Sequence, residues 1–111
     1  MSWSDFKREA NFIGGKWVGA DGGGTIEVTN PATGEVIGTV PNAGATEARR
    51  AIEAAEAAFQ SFSHTTADER ARMLRRLHAA IMDNQRALAE LLTVEQGKPL
   101  AESMGEVGAS A

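Results

Sequence analysis

Two periods of apolar and polar residues divide the chain. Between residues 11 and 42 apolar pairs alternate with polar and turn residues at a spacing no helix could use, which predicts short strands. Phe12-Ile13 and Trp17-Val18 flank Gly14-Gly15-Lys16, a hairpin signal, because glycine takes positive φ without a Cβ clash. Ala20-Asp21-Gly22-Gly23-Gly24 reads as a loop. Ile26 and Val28 then alternate with Thr25, Glu27 and Thr29 as a half-buried strand that stops at Asn30-Pro31-Ala32-Thr33-Gly34-Glu35. Pro31 presets that turn, Gly34 closes it, and Val36 to Val40 form the returning strand. The pattern predicts two antiparallel ribbons, a kind of structure that is marginal on its own.

From residue 46 the period becomes helical. Ala48, Ile52, Ala55, Phe59 and Phe62 recur at offsets of three and four, with Thr46 as the predicted N-cap and Glu47 suited to the positive helix end. Thr66-Ala67-Asp68-Glu69 has the form of a capping box opening a second helix. Met73, Leu74, Leu77 and Ile81 form its predicted buried stripe, with Arg70, Arg72, Arg75 and Arg76 partly on the solvated side. Asp83-Asn84 breaks the period, so Asn84 is the predicted cap of a third helix carrying Leu88, Leu91 and Leu92. Gly97 and Pro99 stop that helix. A last helical segment is expected from near Leu100, and it reaches Ala111 with no stop signal, as if the chain were cut within an element. The segment is thus α+β, antiparallel β-ribbons followed by three or four helices.

Composition sharpens the picture mainly by exclusion. Of 111 residues 42% are hydrophobic, but alanine supplies much of that share and there are only four Phe and two Trp, so the potential core is thin. A formal charge of −4, with cations mixed among acids, argues against nucleic acid as a partner. No apolar run approaches the ~18 to 20 residues that span a bilayer, and Met1 to Glu9 holds no apolar signal segment, so the expected location is cytoplasmic and no membrane partner is expected. The absence of cysteine excludes disulfides, thiolate metal sites and thiol nucleophiles from this chain.

The chemistry-bearing residues give no catalytic constellation. The glycines from Gly19 to Gly24 lead into a strand, not a helix N-terminus, and read as a loop rather than a phosphate cradle. Gly97-Lys98 is followed by Pro99 instead of Ser or Thr, which makes it a helix stop and not a P-loop. His64 and His78 have no partners at metal-ligand spacing. Ser103 lacks the leading glycine and the strand of a nucleophile elbow and reads as an ordinary helical serine. Glu53 with Glu56, and Asp68 with Glu69, have the residue types for acid and base work but sit where carboxylates usually just solvate a helix.

Five strings in register nevertheless carry a resemblance. Phe12-Ile13-Gly14-Gly15-Lys16-Trp17-Val18 is followed by Val28-Thr29-Asn30-Pro31-Ala32-Thr33-Gly34-Glu35-Val36-Ile37, then Ala51 to Phe59, Glu69 to Leu74, and Glu95-Gln96-Gly97-Lys98-Pro99-Leu100-Ala101-Glu102 with Gly105-Glu106-Val107 behind it. Together they resemble the opening of aldehyde dehydrogenases over residues 11 to 107, and the last string looks most like the succinate-semialdehyde branch. Phe62 departs from the pattern, since many members of the family carry tryptophan there; a small change in packing is expected.

The resemblance implies an α/β parent fold with a Rossmann-type cofactor domain, of which residues 11–111 would be the N-terminal part, incomplete at its C-terminus, and residues 1–10 a tail. It implies oxidation of an aldehyde through a cysteine thiolate, hydride transfer to NAD or NADP, and hydrolysis of a thioester by glutamate-activated water. The family's cysteine, glutamate and cofactor loops lie beyond residue 111, so this chain alone is expected to hold no catalytic or cofactor-binding residue, to bind no cofactor and to be inactive. Some members hold a structural monovalent cation, and the matching positions here are Val28 and Thr29, through their carbonyls, and Glu106. The implied partner is the remainder of the dehydrogenase fold or another subunit, in a homo-oligomeric parent. Two other readings stand beside it: a non-catalytic interaction module using the Ile52, Phe59, Leu77 and Leu91 faces, or a small protein that folds independently.

Overall fold

The computed structural model describes all 111 residues, Met1 to Ala111. In chain order it has a 3-10 turn at Trp3–Phe6, strands β1 (Asn11–Ile13), β2 (Lys16–Val18), β3 (Thr25–Thr29) and β4 (Val36–Pro41), and helices α1 (Ala45–Phe62), α2 (Ala67–Asp83), α3 (Gln85–Gln96) and α4 (Leu100–Ser110). Both ribbons are two-stranded, pairing β1 with β2 and β3 with β4. The predicted α+β order of ribbons then helices is the one observed. Residues 1–10 include the 3-10 turn, in which the Asp5 carboxylate accepts from the Ser2 N–H at 2.7 Å, and the turn packs against α3.

The chain divides into two compact units, one of Met1–Lys7, Thr29–Ile37 and Ala67–Ala111, the other of Arg8–Val28 and Gly38–Thr66. In the first, α3 and α4 form the most intimate pair. Ala87 and Ala89 on α3 and Ser103 on α4 are buried. The Thr93 and Ser103 hydroxyls meet at 2.8 Å, and Gln85 Nε2 donates to the Met104 carbonyl at 3.0 Å. Small side chains let the backbones approach closely, and each polar group carried inward finds a partner, which offsets its desolvation. Between these helices Gly97 takes the left-handed C-cap conformation at φ 76°, its N–H donating to the Thr93 carbonyl at 2.8 Å. A Cβ at Gly97 would also lie 2.9 Å from Pro31 Cγ, so both backbone angle and space require glycine.

That contact docks the Asn30–Glu35 turn onto the bend after α3. Asn30 shapes the turn itself: its Oδ1 accepts from the Ala32 N–H at 2.9 Å, while its carbonyl accepts from Gly34 N–H at 2.7 Å.

In the second unit the β1–β2 hairpin pairs Asn11 with Val18, Phe12 with Trp17 and Ile13 with Lys16. Its two-residue loop, Gly14-Gly15, has φ of 59° and 78°, the double positive φ of a type I′ turn. Phe12 and Trp17 meet across the strands with ring centroids 5.1 Å apart and ring planes tilted by 54°, and the Arg8 guanidinium lies 5.6 Å from the Trp17 ring centroid. β1 lies along α1, where Gly14 approaches Ala54. Helix α1 starts two residues earlier than the Thr46 cap predicts. Gly44 is the N-cap, and the buried Glu47 carboxylate accepts from the Gly44 N–H at 2.8 Å, so the glutamate supplies the capping bond instead of a threonine hydroxyl.

Two further expectations are corrected. Asn84 occupies the position before α3, but its side chain points backward, Nδ2 donating to the Ala80 carbonyl at 2.8 Å, and so it secures the end of α2 instead of capping α3. The stripe predicted to be buried on α2 is largely open: Leu74 is 65% and Leu77 55% exposed, Met73 is exposed, Ile81 is half-buried, and no residue of α2 is buried. The large residues of the α1 stripe are open too, with Ile52 at 67% and Phe59 at 61%. Leu91, read as part of an exposed face, is half-buried.

Candidate functional site

The three cation candidates occupy different surroundings. Val28 is half-buried near the end of β3 and Thr29 is the exposed last residue of that strand. Glu106 is exposed on α4, and its Oε1 accepts from the Lys98 ammonium, itself largely covered. The negative charge that a bound cation would need is therefore already compensated by a side chain eight residues upstream. Carbonyl and carboxylate oxygens suit a hard cation, but as it stands the donor set on α4 holds an ammonium, and nowhere in the chain do three or more His, Asp or Glu gather in a way that could hold a metal.

The remaining candidates serve structure. The imidazole Nδ1 of His64 lies 2.8 Å from the Gln60 carbonyl at the exposed end of α1, and His78 is exposed on α2. Asp68 pairs with Arg72 at 3.0 Å and with Arg75 at 3.9 Å, a solvated cluster rather than an acid–base pair. Glu53 and Glu56 are exposed. Ser103 is wholly buried against Thr93 and so cannot serve as a nucleophile. The glycine loop is held by Asp21, whose two carboxylate oxygens take Arg50 NH1 and NH2 at 2.9 and 2.7 Å. The hydrogen bonds from Arg50 hold the Asp21 carboxyl below the usual carboxylate range.

Two open grooves run where the hairpin lies along α1. One of about 370 Å³ is bounded by Asn11, Phe12, Ala43, Glu47 and Ala48 among others. The second, about 310 Å³, is lined by Phe12, Ile13, Gly15, Ala51, Ala55 and Ala58. Their one charged group, Glu47, is already engaged with Gly44 N–H. The walls are alanine and aromatic carbon, which can seat apolar atoms but offer no nucleophile, base or oxyanion donor set.

Several interactions were missed in the sequence. Ser103 lies in the apolar pattern of α4 with Leu100, Met104 and Val107, and a hydroxyl at such a position signals a buried hydrogen bond. Asp21 with Arg50, separated by 29 positions, carries no local signal. The Lys98–Glu106 pair spans a helix stop and falls outside any single-helix rule.

Comparison with known proteins gives a single answer. The model of the aldehyde dehydrogenase family matches residues 17–111. Glutarate-semialdehyde dehydrogenase of Pseudomonas putida is 55% identical over 104 residues, covering 94% of this chain and 22% of the relative. The NADP(+) succinate-semialdehyde dehydrogenase of Escherichia coli is 46% identical over 108 residues, 97% of this chain and 22% of the relative. The crystal structure of succinate-semialdehyde dehydrogenase from Burkholderia pseudomallei superposes with a TM-score of 0.91 at 51% identity, over 93% of this chain and 21% of that one. The chain thus spans about a fifth of the length of the relatives it matches.

Proposed function

The chain belongs to the aldehyde dehydrogenase family, and from that membership we propose that it is the N-terminal portion of an NAD(P)-dependent dehydrogenase that oxidises succinate semialdehyde or a similar aldehyde to the carboxylate. In that reaction the aldehyde and water give the acid, and a hydride reduces NAD(P)+. The observation that supports it most is the identity of 55% and 46% to glutarate- and succinate-semialdehyde dehydrogenases over nearly the whole chain. Residues 11–111 are then the first part of the cofactor-binding domain, residues 1–10 precede it, and the parent is a homo-oligomer.

The chain by itself is inactive in this proposal, since it has no cysteine to form a thiohemiacetal and no glycine-rich turn opening a helix for a dinucleotide. Val28, Thr29 and Glu106 keep their proposed cation role only if an ion shares Glu106 with Lys98. A melting temperature that rises in potassium or sodium chloride, but not in tetramethylammonium chloride of equal strength, is the result that role requires.

The test of the main reading is direct. The 111-residue chain, incubated with NAD+ or NADP+ and succinate or glutarate semialdehyde, is expected to give no reduced-nicotinamide absorbance, while the native protein from its source oxidises one of them and has several times the mass of this chain. Turnover by the chain itself, or a native protein of the chain's own mass with no such activity, would overturn it. The second outcome would favour the other reading, an interaction module, for which the open Ile52, Phe59 and Leu77 positions speak.

A further inference from the structure

Of the four aspartates only Asp21 precedes a glycine; the others are followed by Phe6, Glu69 and Asn84, and none of the four asparagines precedes a glycine. Asp21-Gly22 forms the centre of a turn in which the Gly23 N–H donates to the Ala20 carbonyl at 2.9 Å. Both residues are exposed, and the Gly22 N–H enters none of the turn's hydrogen bonds. A Cβ placed on Gly22 would meet nothing within 4 Å, so the space beside its backbone is open. An aspartyl-glycyl bond with these properties is prone to cyclise, because glycine has no side chain to shield its nitrogen.

The reaction needs only the chain and water. The Gly22 nitrogen bonds to Asp21 Cγ, one Cγ–O bond breaks, and that oxygen leaves as water with the amide proton and a carboxyl proton. Water then opens the resulting ring at either carbonyl. Opening at Cγ restores aspartate. Opening at the main-chain carbonyl leaves Gly22 attached through Cγ, which is isoaspartate, with no net change of mass or oxidation state.

Arg50 opposes both requirements of the first step. Its Nη1 and Nη2 donate to Oδ2 and Oδ1 of Asp21 at 2.9 and 2.7 Å, so Cγ can turn onto the Gly22 nitrogen only by giving up both bonds. Loss of water also needs a protonated carboxyl, and the same guanidinium keeps this one charged. We propose that Asp21-Gly22 is a self-modification site, at which aspartate converts to isoaspartate through a succinimide, and that Arg50 is the positioning residue that holds it unmodified. Conversion adds a methylene to the main chain and leaves a carboxylate directly on Cα. The fork that meets Arg50 is then lost, and the Ala20 to Gly24 loop is released from α1. This holds whether or not the dehydrogenase reading does.

The experiment ages the folded chain at neutral pH in heavy-oxygen water, where each ring opening leaves a heavy oxygen at Asp21, and follows the label by peptide mass. Isoaspartate is scored by resistance to an aspartate-specific endoprotease. Arg50→Gln is expected to speed labelling at Asp21 roughly fivefold, since an exposed pair restrains its partner only modestly. Arg50→Lys, which keeps the charge but not the fork, is expected to speed it about twofold. Gly22→Ala in the R50Q background should slow it about tenfold, with the loop able to accept the alanine. In urea, where the pair is absent, the unaltered chain and R50Q should label at one rate. Equal rates for the two in the folded state, an excess for R50Q that persists in urea, or label arriving as fast at Asp5, Asp68 or Asp83 would each overturn the proposal.

Discussion

The α3–α4 pair and the hairpin–α1 pair are built on opposite terms. In α3–α4 the interior consists of two alanines and a serine, and the polar groups drawn inward are matched, Thr93 to Ser103 and Gln85 to the Met104 carbonyl. In the hairpin–α1 unit the one buried residue is a charged one, Glu47, held by the first turn of its own helix. There the hairpin lies on the alanine side of α1, near Ala51, Ala54 and Ala58, and leaves Ile52 and Phe59 uncovered. The difference teaches that helical periodicity identifies an apolar face but not what covers it. Small residues closed the first pair locally, and the large residues of α1 and α2 are left exposed.

Two tryptophans make the contrast measurable, because Trp3 belongs to the unit of α3–α4 and Trp17 to the unit of the hairpin. Trp17→Phe leaves a reporter on the first, and Trp3→Phe a reporter on the second. The largest expected effect is from Ser103→Leu, which forces a bulky side chain into a closed helix contact and strands the Thr93 hydroxyl. A loss of about 3 kcal/mol is expected in urea unfolding followed at Trp3, with a smaller shift at Trp17. Gly97→Ala comes next, at about 2 kcal/mol, since the alanine must hold a left-handed φ with its Cβ against Pro31. An unchanged midpoint in either variant would mean that α3 and α4 are not the tight pair described here.

Glu47→Ala should cost about 1 kcal/mol and be read at Trp17, because the Gly44 N–H loses its acceptor. The smallest effect belongs to Asp21. Its carboxyl is held low by Arg50, so the pair's contribution is complete above the ordinary carboxylate range and fades as pH falls through the depressed value, below about pH 4. Asp21→Asn is expected to flatten the acid limb of the stability profile at Trp17 and to change little at pH 7, since both side chains are about half exposed.

Much of this architecture was legible in the order of residues. The double glycine of the hairpin, the Asn30-Pro31 turn and the Gly97 stop all sit where predicted, because each depends on a local backbone requirement that few residue types meet. The misses share a different origin. Thr46 is a better cap by type than Gly44, yet Glu47 satisfies the helix end from inside. Asn84 can bond either way along the chain and bonds backward. The stripe on α2 was read correctly as apolar and wrongly as buried, since burial depends on a neighbour and not on spacing. As for chemistry, the absence of cysteine was plain from the composition, while the Lys98 ammonium on Glu106 depends on how the chain bends at Gly97 and Pro99.

The most direct test of the account is native-state hydrogen exchange of the 111-residue chain, resolved by segment. Slowest exchange is expected across residues 85–110, where α3 and α4 bury their contact, with α2 and the hairpin–α1 unit at least tenfold faster for lack of a covering surface. Protection spread evenly from α1 through α4 would contradict it, because the open faces of α1 and α2 would then already be packed.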